Sequence, residues 1–293
     1  MLDAIAVSLR PRQWIKNLFV FAAVIFSQQL FTPALWRAAG AFLIFCALSG
    51  AMYLINDVMD RDKDRLHPRK RERPVAAGRL SPRAAVGAGL LLLAVALAAA
   101  ALRSGGLLLV AAGYVTLLTA YSLGLKHVVI VDVIVVACGF VLRAVAGAVA
   151  VGVEISGWLL ICTVQLALVL ALGKRRHEYL TLEGEAARHR PILAEYSAGL
   201  LDQMIAVVTA STVTAYALYT MSPETVAKFH TPWLPVTLPF VLYGVFRYLY
   251  LLYRKELGGN PSEVVLHDRP LLINAVCWIA AVLVILYGTA GVR

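Results

Sequence analysis

Charged side chains are scarce. They make up 15% of the 293 residues, against 60% hydrophobic ones, which excludes an ordinary soluble globular domain. The four cysteines, Cys46, Cys138, Cys162 and Cys277, are scattered through apolar runs without a C-x-x-C, so neither a disulfide nor a zinc framework is expected. The six histidines show no H-E-x-x-H or other ligand spacing. No cleavable signal peptide is expected from the start "MLDAIAVSLRPRQWIKN", which shows no basic region ahead of an apolar core and a small-residue cleavage site. No sustained repeat or low-complexity segment is visible.

What the chain does have is long apolar runs from end to end, so lipid is the solvent for most of it. Nine runs are long enough to cross a hydrocarbon core of about 30 Å. They cover about 18–35, 38–58, 84–102, 105–122, 128–150, 155–173, 199–221, 233–253 and 270–290. Backbone groups in lipid must be satisfied within the segment, so each run is predicted to be a helix. The expected architecture is an all-α integral membrane protein, with one transmembrane domain over 1–293 and charged loops at about 59–83, 123–127, 174–198 and 254–269.

Basic residues set the predicted orientation. Of 27 Lys and Arg, 21 fall on the side holding the amino terminus and those loops, four on the other side (Arg37, Arg103, Lys228, Arg293), and two inside spans (Arg143, Arg247). The expectation is a multi-pass protein of the cell (inner or plasma) membrane, with its amino terminus and charged face cytoplasmic. Only Glu154 and Glu224 of the 17 acids fall on the outer side. Acids contribute little to topology, so their crowding on one face calls for another cause.

The crowding peaks in "LINDVMDRDKDRLHPRKRERPVAAGRLSP", which begins at Leu54 as the second apolar run ends. Asn56, Asp60 and Asp64 are spaced i, i+4, i+8 and share a helix face if the helix continues, with Asp57 a quarter-turn away and Asp62 pointing elsewhere. Aligned carboxylates repel, so a cation must offset them. Neighbouring arginines are one source. Mg²⁺ is the other, because it takes one or two carboxylates and completes its shell with water and phosphate oxygens.

"NDVMDRDKD" resembles the N-D-x-x-D-x-x-x-D motif of the UbiA superfamily of intramembrane prenyltransferases, in its expected place after the second of nine helices. The resemblance implies a nine-helix bundle with a polar cavity open to the cytoplasmic side. It also implies that Asn56, Asp60 and Asp64, supported by Asp57, hold Mg²⁺ against a diphosphate. A usual member carries a second motif, D-x-x-x-D, after the sixth helix. Here that place reads "LALGKRRHEYLTLEGE", with Lys174, Arg175, Arg176 and Glu178 instead. Such cations bind phosphate oxygens rather than metal, and Lys174 and Glu178, at i,i+4, can brace each other. Together with "LRPRQWIKNLFVFA", "YSLGLKHVVIVDVIVVACGFVLRAVAGA" and "GNPSEVVLHDRPLL", this segment is similar to the decaprenyl-phosphate phosphoribosyltransferase branch, over nearly the whole chain.

That branch implies a phosphoribosyl transfer from 5-phosphoribosyl 1-diphosphate to a polyprenyl monophosphate, with Mg²⁺ as cofactor, in the making of a cell-wall arabinan precursor. Lys16, Asn17, Tyr121 and Lys126, near the ends of spans, are candidates for lipid or sugar phosphate. Asp132 and Arg143 are intramembrane charges, costly to bury and so functional or paired. They lie about 16 Å apart along one helix, so each needs a partner elsewhere. Arg73, Asp268 and Arg269, with Arg79 and Glu263, complete the candidates. No nucleic-acid partner is expected, and a homo-oligomer is compatible. Two rival readings share the pattern: a prenyltransferase acting on an aromatic acceptor, disfavoured by the missing second aspartate motif, and a lipid or solute transporter, disfavoured by charge confined to one face.

Overall fold

The structure is a computed structural model that describes residues 2–66, 70–181, 191–259 and 261–288, and every regular element among them is helical. The chain divides into two compact units, Met1–Val24 with Phe31–Glu154, and Ile25–Leu30 with Ile155–Arg293.

The first unit opens with α1 (Leu2–Ser8), a 3-10 segment over Pro11–Phe21, and the start of α2 (Ala22–Phe26). It continues with α3 (Ala34–Met59), α4 (Arg61–Leu66), α5 (Pro82–Arg103), α6 (Gly105–Leu123) and α7 (Val131–Val151). Hydroxyl caps set the helix starts: Ser81 Oγ accepts from Ala84 N at 3.2 Å, and Ser104 Oγ from Leu107 N at 3.0 Å. Phe45, Leu48, Leu107 and Tyr114 are buried where α3, α5, α6 and α7 pack. Gly147 on α7 allows the 3-10 segment to lie against it, since a Cβ there would stand 1.9 Å from Val20 O. Small residues at such crossings substitute close backbone packing for a hydrophobic drive that lipid does not provide.

The second unit holds α8 (Gly157–Thr181), α9 (Ala198–Met221), α10 (Pro223–Phe229), α11 (Leu238–Arg254), α12 (Pro261–His267) and α13 (Arg269–Gly288). Phe229, Leu234, Val282 and Leu286 form a buried cluster there.

Eight helices among the described residues are long and apolar enough to cross a membrane: α3, α5, α6, α7, α8, α9, α11 with its preceding turn, and α13. They match eight of the nine predicted runs to within several residues. The run at 18–35 is different. Its helical part ends at Phe26, and Gln28 takes a left-handed backbone, φ 57°. That break is pinned inside the second unit: Gln28 Nε2 donates to Leu286 O at 2.6 Å and Leu30 N to Tyr287 Oη at 3.1 Å. The polar triplet Ser27-Gln28-Gln29 interrupts an otherwise apolar run, and tertiary hydrogen bonds replace the helical ones it gives up. α8 runs further than its apolar run suggested, through Thr181, so Lys174 to Glu178 are helical. Residues 182–190 of the predicted 174–198 loop lie outside the described residues.

Candidate active site

α3 ends at Met59, yet its hydrogen-bond ladder does not stop there. Asp60 N donates to Asn56 O at 2.9 Å and Asp64 N to Asp60 O at 2.8 Å, so the turn carries through into α4 and keeps Asn56, Asp60 and Asp64 stacked. Their side chains nonetheless form two groups rather than one row. Asn56 Nδ2 donates to Asp60 Oδ2 at 2.8 Å, and Lys126 Nζ to Asp60 Oδ1 at 3.1 Å. On the other group, one guanidinium nitrogen of Arg73 reaches both Asp57 Oδ1 at 3.3 Å and Asp64 Oδ2 at 2.6 Å. Arg10 also pairs with Asp57, and its guanidinium lies over the Tyr53 ring, 4.7 Å from the centroid. The grouping follows from helix geometry. Positions seven apart are offset by only ~20° around a helix, less than the offset four apart, so Asp57 and Asp64 share a cation.

Loop packing supplies that cation. Val75 and Leu80 are buried against Leu54 and Ala85, Arg65 Nε donates to Ala76 O at 3.2 Å, and Arg79 to Glu72 O at 2.7 Å. These contacts hold the Arg73 turn under the mouth of α3. Asp57 is 1% exposed and its Oδ2 has no hydrogen-bond partner. Asp62 is exposed and lies 3.7 Å from Arg65, away from the group as its position requires.

The intramembrane cation Arg143 has partners that spacing alone did not reveal. Its Nε donates to Asn17 Oδ1 at 2.7 Å, and its two terminal nitrogens donate to Gly139 O and to Tyr114 Oη, each at 2.6 Å. Asn17 Nδ2 contacts Cys46 Sγ at 3.2 Å and Ser49 Oγ at 3.3 Å. Asn17 and Arg143 therefore form a closed polar network within the first unit. Lys16 beside it is half-buried, as is Tyr121, while Asp132 is fully buried, and both Asp132 and Tyr121 are engaged in interactions of their own.

In the second unit the basic end of α8 is braced by one acid. Glu178 lies 3.7 Å from Lys174 Nζ and pairs with Arg175, which is almost wholly buried. Arg176 faces elsewhere: its Nε donates to Asp202 at 2.6 Å, and its guanidinium lies 4.1 Å from the Tyr253 ring centroid. Asp268 is gripped by Arg247 through Nε at 3.1 Å and NH2 at 2.8 Å, and accepts from Leu271 N at 2.9 Å as a helix cap. The Arg247 hydrogen bonds hold its carboxyl below the usual carboxylate range. Arg269 is exposed.

Arg10, Tyr114, Asp202 and Arg247 are the participants that sequence reasoning missed. Arg10 and Arg247 were visible only as members of a topology count, and a tyrosine inside an apolar run has no distinguishing pattern.

The helices and their charged ends define a polytopic membrane protein with an acid–base cluster at the mouth of one helix. The model of the UbiA prenyltransferase family matches residues 17–266, and the chain belongs to that family. It is 34% identical to the decaprenyl-phosphate phosphoribosyltransferase of Corynebacterium glutamicum over 97% of this chain and 87% of that one. Identity to the protein of the same name from Mycolicibacterium smegmatis is 32%, over 96% and 92%. The fold is shared with a UbiA homolog from Archaeoglobus fulgidus solved with GPP and Mg²⁺, at a TM-score of 0.74 and 23% identity, covering 97% of this chain and 99% of that one.

Proposed function

We propose that the protein transfers the 5-phosphoribosyl group from 5-phosphoribosyl 1-diphosphate to a polyprenyl monophosphate, releasing diphosphate. The observation that carries this reading is the near-full-length similarity to enzymes named decaprenyl-phosphate phosphoribosyltransferase. The basic end of α8 supports it: a reaction with one diphosphate and two further phosphates needs one acidic metal-binding cluster and additional cations. The reading places the enzyme in the plasma membrane with the aspartates cytoplasmic, a polar cavity open to that side, and its product feeding cell-wall arabinan. It also includes a ninth crossing. Eleven residues of 3-10 helix at ~2.0 Å per residue and five of α2 at ~1.5 Å together span about 30 Å.

The fit to Mg²⁺ rests on the donors present. Among the described residues no three carboxylate, histidine or cysteine side chains converge as a ready-made metal cage. Mg²⁺ does not need one, since it binds through one or two carboxylates plus substrate phosphate and water. Asn56, Asp57, Asp60 and Asp64 offer only hard oxygen donors besides the Asn56 amide nitrogen, Asp60 is half-exposed, and Asp57 has a spare buried oxygen. These four would hold the ion. When bound, it supplies Lewis-acid stabilisation of charge building on the departing diphosphate.

The chain's own residues do the remainder. Lys126 and Arg73 lie beside those carboxylates and donate to diphosphate and ribose 5-phosphate oxygens. Lys174, Arg175 and Arg269 supply cations for the remaining phosphate, with Glu178 holding the first two in place. Asn17 and Arg143 position Lys16, while Tyr121, Asp132 and Asp268 orient the substrate-facing ends of their helices. The anomeric carbon passes through an oxocarbenium-like state, as glycosyl carbons do. The attacking lipid phosphate is already anionic and needs no strong base, so positioning contributes much of the rate.

Purified protein supplied with 5-phosphoribosyl 1-diphosphate, decaprenyl phosphate and Mg²⁺ is expected to release diphosphate and form a phosphoribosyl lipid, with both signals lost on omitting the lipid or adding EDTA. Absence of that product, together with coupling of a prenyl diphosphate to 4-hydroxybenzoate, would overturn the reading in favour of aromatic prenylation.

A further inference from the structure

The first unit has a second basic site, at the end opposite the aspartates. Arg37 lies near the start of α3, about 30 Å along that helix from Asp57 at ~1.5 Å per residue. Arg103 ends α5. The two arginines, with Ser104, Leu107, Val149 and Gly152, line a cavity of about 290 Å³. Neither is paired with a carboxylate among the described residues, and Glu154, the acid at this end of the unit, is exposed and outside the lining. Two of the four cations on the outer side of the sequence therefore line one cavity, on the side where the positive-inside bias leaves few.

Arg103 is not merely an anchor reaching for water. Its guanidinium folds back onto α3, where a Cβ on Gly40 would stand 2.2 Å from Cζ, and NH1 approaches Arg37 O at 3.5 Å. A glycine is thus required for this pose, which leaves Arg103 and Arg37 lining one cavity with no carboxylate in that lining. Arginine pairs recognise phosphate oxygens by forked hydrogen bonds. The immediate neighbours Trp36 and Leu102 are 75% and 89% exposed, an apolar surface suited to acyl chains.

We propose that Arg37 and Arg103 form a phosphate-oxyanion site that holds the headgroup of an anionic phospholipid in the leaflet opposite the reaction, a role independent of the proposed transfer. Protein stripped of lipid in a neutral detergent is titrated with phosphatidylglycerol, phosphatidylcholine or inorganic phosphate, and bound species are counted by native mass spectrometry. Wild type is expected to retain one more phosphatidylglycerol than Arg37→Gln/Arg103→Gln, with affinity at that site about tenfold weaker in the variant. Arg37→Lys/Arg103→Lys should recover part of it. Gly40→Ala, which displaces the Arg103 guanidinium at unchanged charge, should lose the lipid too. Equal retention by wild type and the glutamine variant would overturn the site. Retention by Gly40→Ala with loss in the glutamine variant would reduce it to surface charge and overturn the built geometry. Occupancy by inorganic phosphate that excludes phosphatidylglycerol would overturn the lipid assignment. Unfolding temperature without added lipid is the folding control, and diphosphate release in detergent is expected to be unchanged in all variants.

Discussion

One nitrogen of Arg73 lies 2.6 Å from Asp64 and 3.3 Å from Asp57, so a single loop cation bridges two carboxylates seven residues apart, with Arg10 as a second cation on Asp57. Removing a partner from a buried ion pair leaves uncompensated charge and typically costs 3–5 kcal/mol, roughly. Arg73 keeps a quarter of its side chain in solvent, so Arg73→Ala is expected to cost about 3 kcal/mol, the low end of that range. Thermal unfolding in the absence of divalent metal measures this. Added Mg²⁺ should restore part of the loss in Arg73→Ala if the carboxylates hold the ion; identical curves with and without Mg²⁺ would argue against it.

Asp60 and Asp64 have different neighbours, yet the proposed reaction uses both. Asp60→Ala and Asp64→Ala are each expected to lower lipid-dependent diphosphate release by at least ~100-fold, the scale of losing an electrostatic contributor to a transition state. Undiminished Mg²⁺-dependent turnover in both would remove them from the metal site.

Arg143, Asn17 and Tyr114 form a closed set of hydrogen bonds. Arg143→Leu leaves Asn17 Oδ1 and Tyr114 Oη without that donor, at about 1–3 kcal/mol for each buried group. The triple substitution Arg143→Leu, Asn17→Leu, Tyr114→Phe should recover much of that stability, because neither side-chain acceptor of the lost guanidinium remains. If the triple variant unfolds as early as Arg143→Leu, the network is not the source of the cost.

Lys174 and Arg175 are neighbours with unequal burial: 44% of the Lys174 side chain is exposed, but only 3% of Arg175. Lys174→Gln is therefore expected to raise the apparent KM for a phosphate-bearing substrate about tenfold while leaving the unfolding temperature unchanged, given how modestly an exposed ion pair contributes to stability. Arg175→Gln should affect both. Steady-state kinetics with each substrate varied in turn separates the two residues, and an unchanged KM for both substrates in Lys174→Gln would reject the phosphate role.

The legible and illegible parts of this protein divide along a physical line. The apolar runs at 38–58 and 84–102 reappear as α3 and α5 because a helix in lipid is satisfied by its own backbone, which makes length and composition sufficient. The i, i+4, i+8 placement of Asn56, Asp60 and Asp64 held for the same reason, through local hydrogen bonds across the α3–α4 join. The run at 18–35 is helical only as far as Phe26 because Gln28 and Leu30 bond to residues more than 250 positions away, which local pattern does not register.

By itself, then, the amino-acid order determined the helical spans, the clustering of acids where the 38–58 run ends and the basic run that follows the 155–173 one. All three are set by local geometry and by the cost of exposing backbone or charge to lipid. Only the tertiary structure decided that the Arg73 loop folds back to bridge Asp57 and Asp64, that Arg10 and Lys126 arrive from 47 and 66 residues away, and that Arg143 closes on Asn17 and Tyr114. Those pairings depend on which side chains packing brings within a few ångströms, because the Coulomb energy of an ion pair is decided by distance and burial, not by position in the chain.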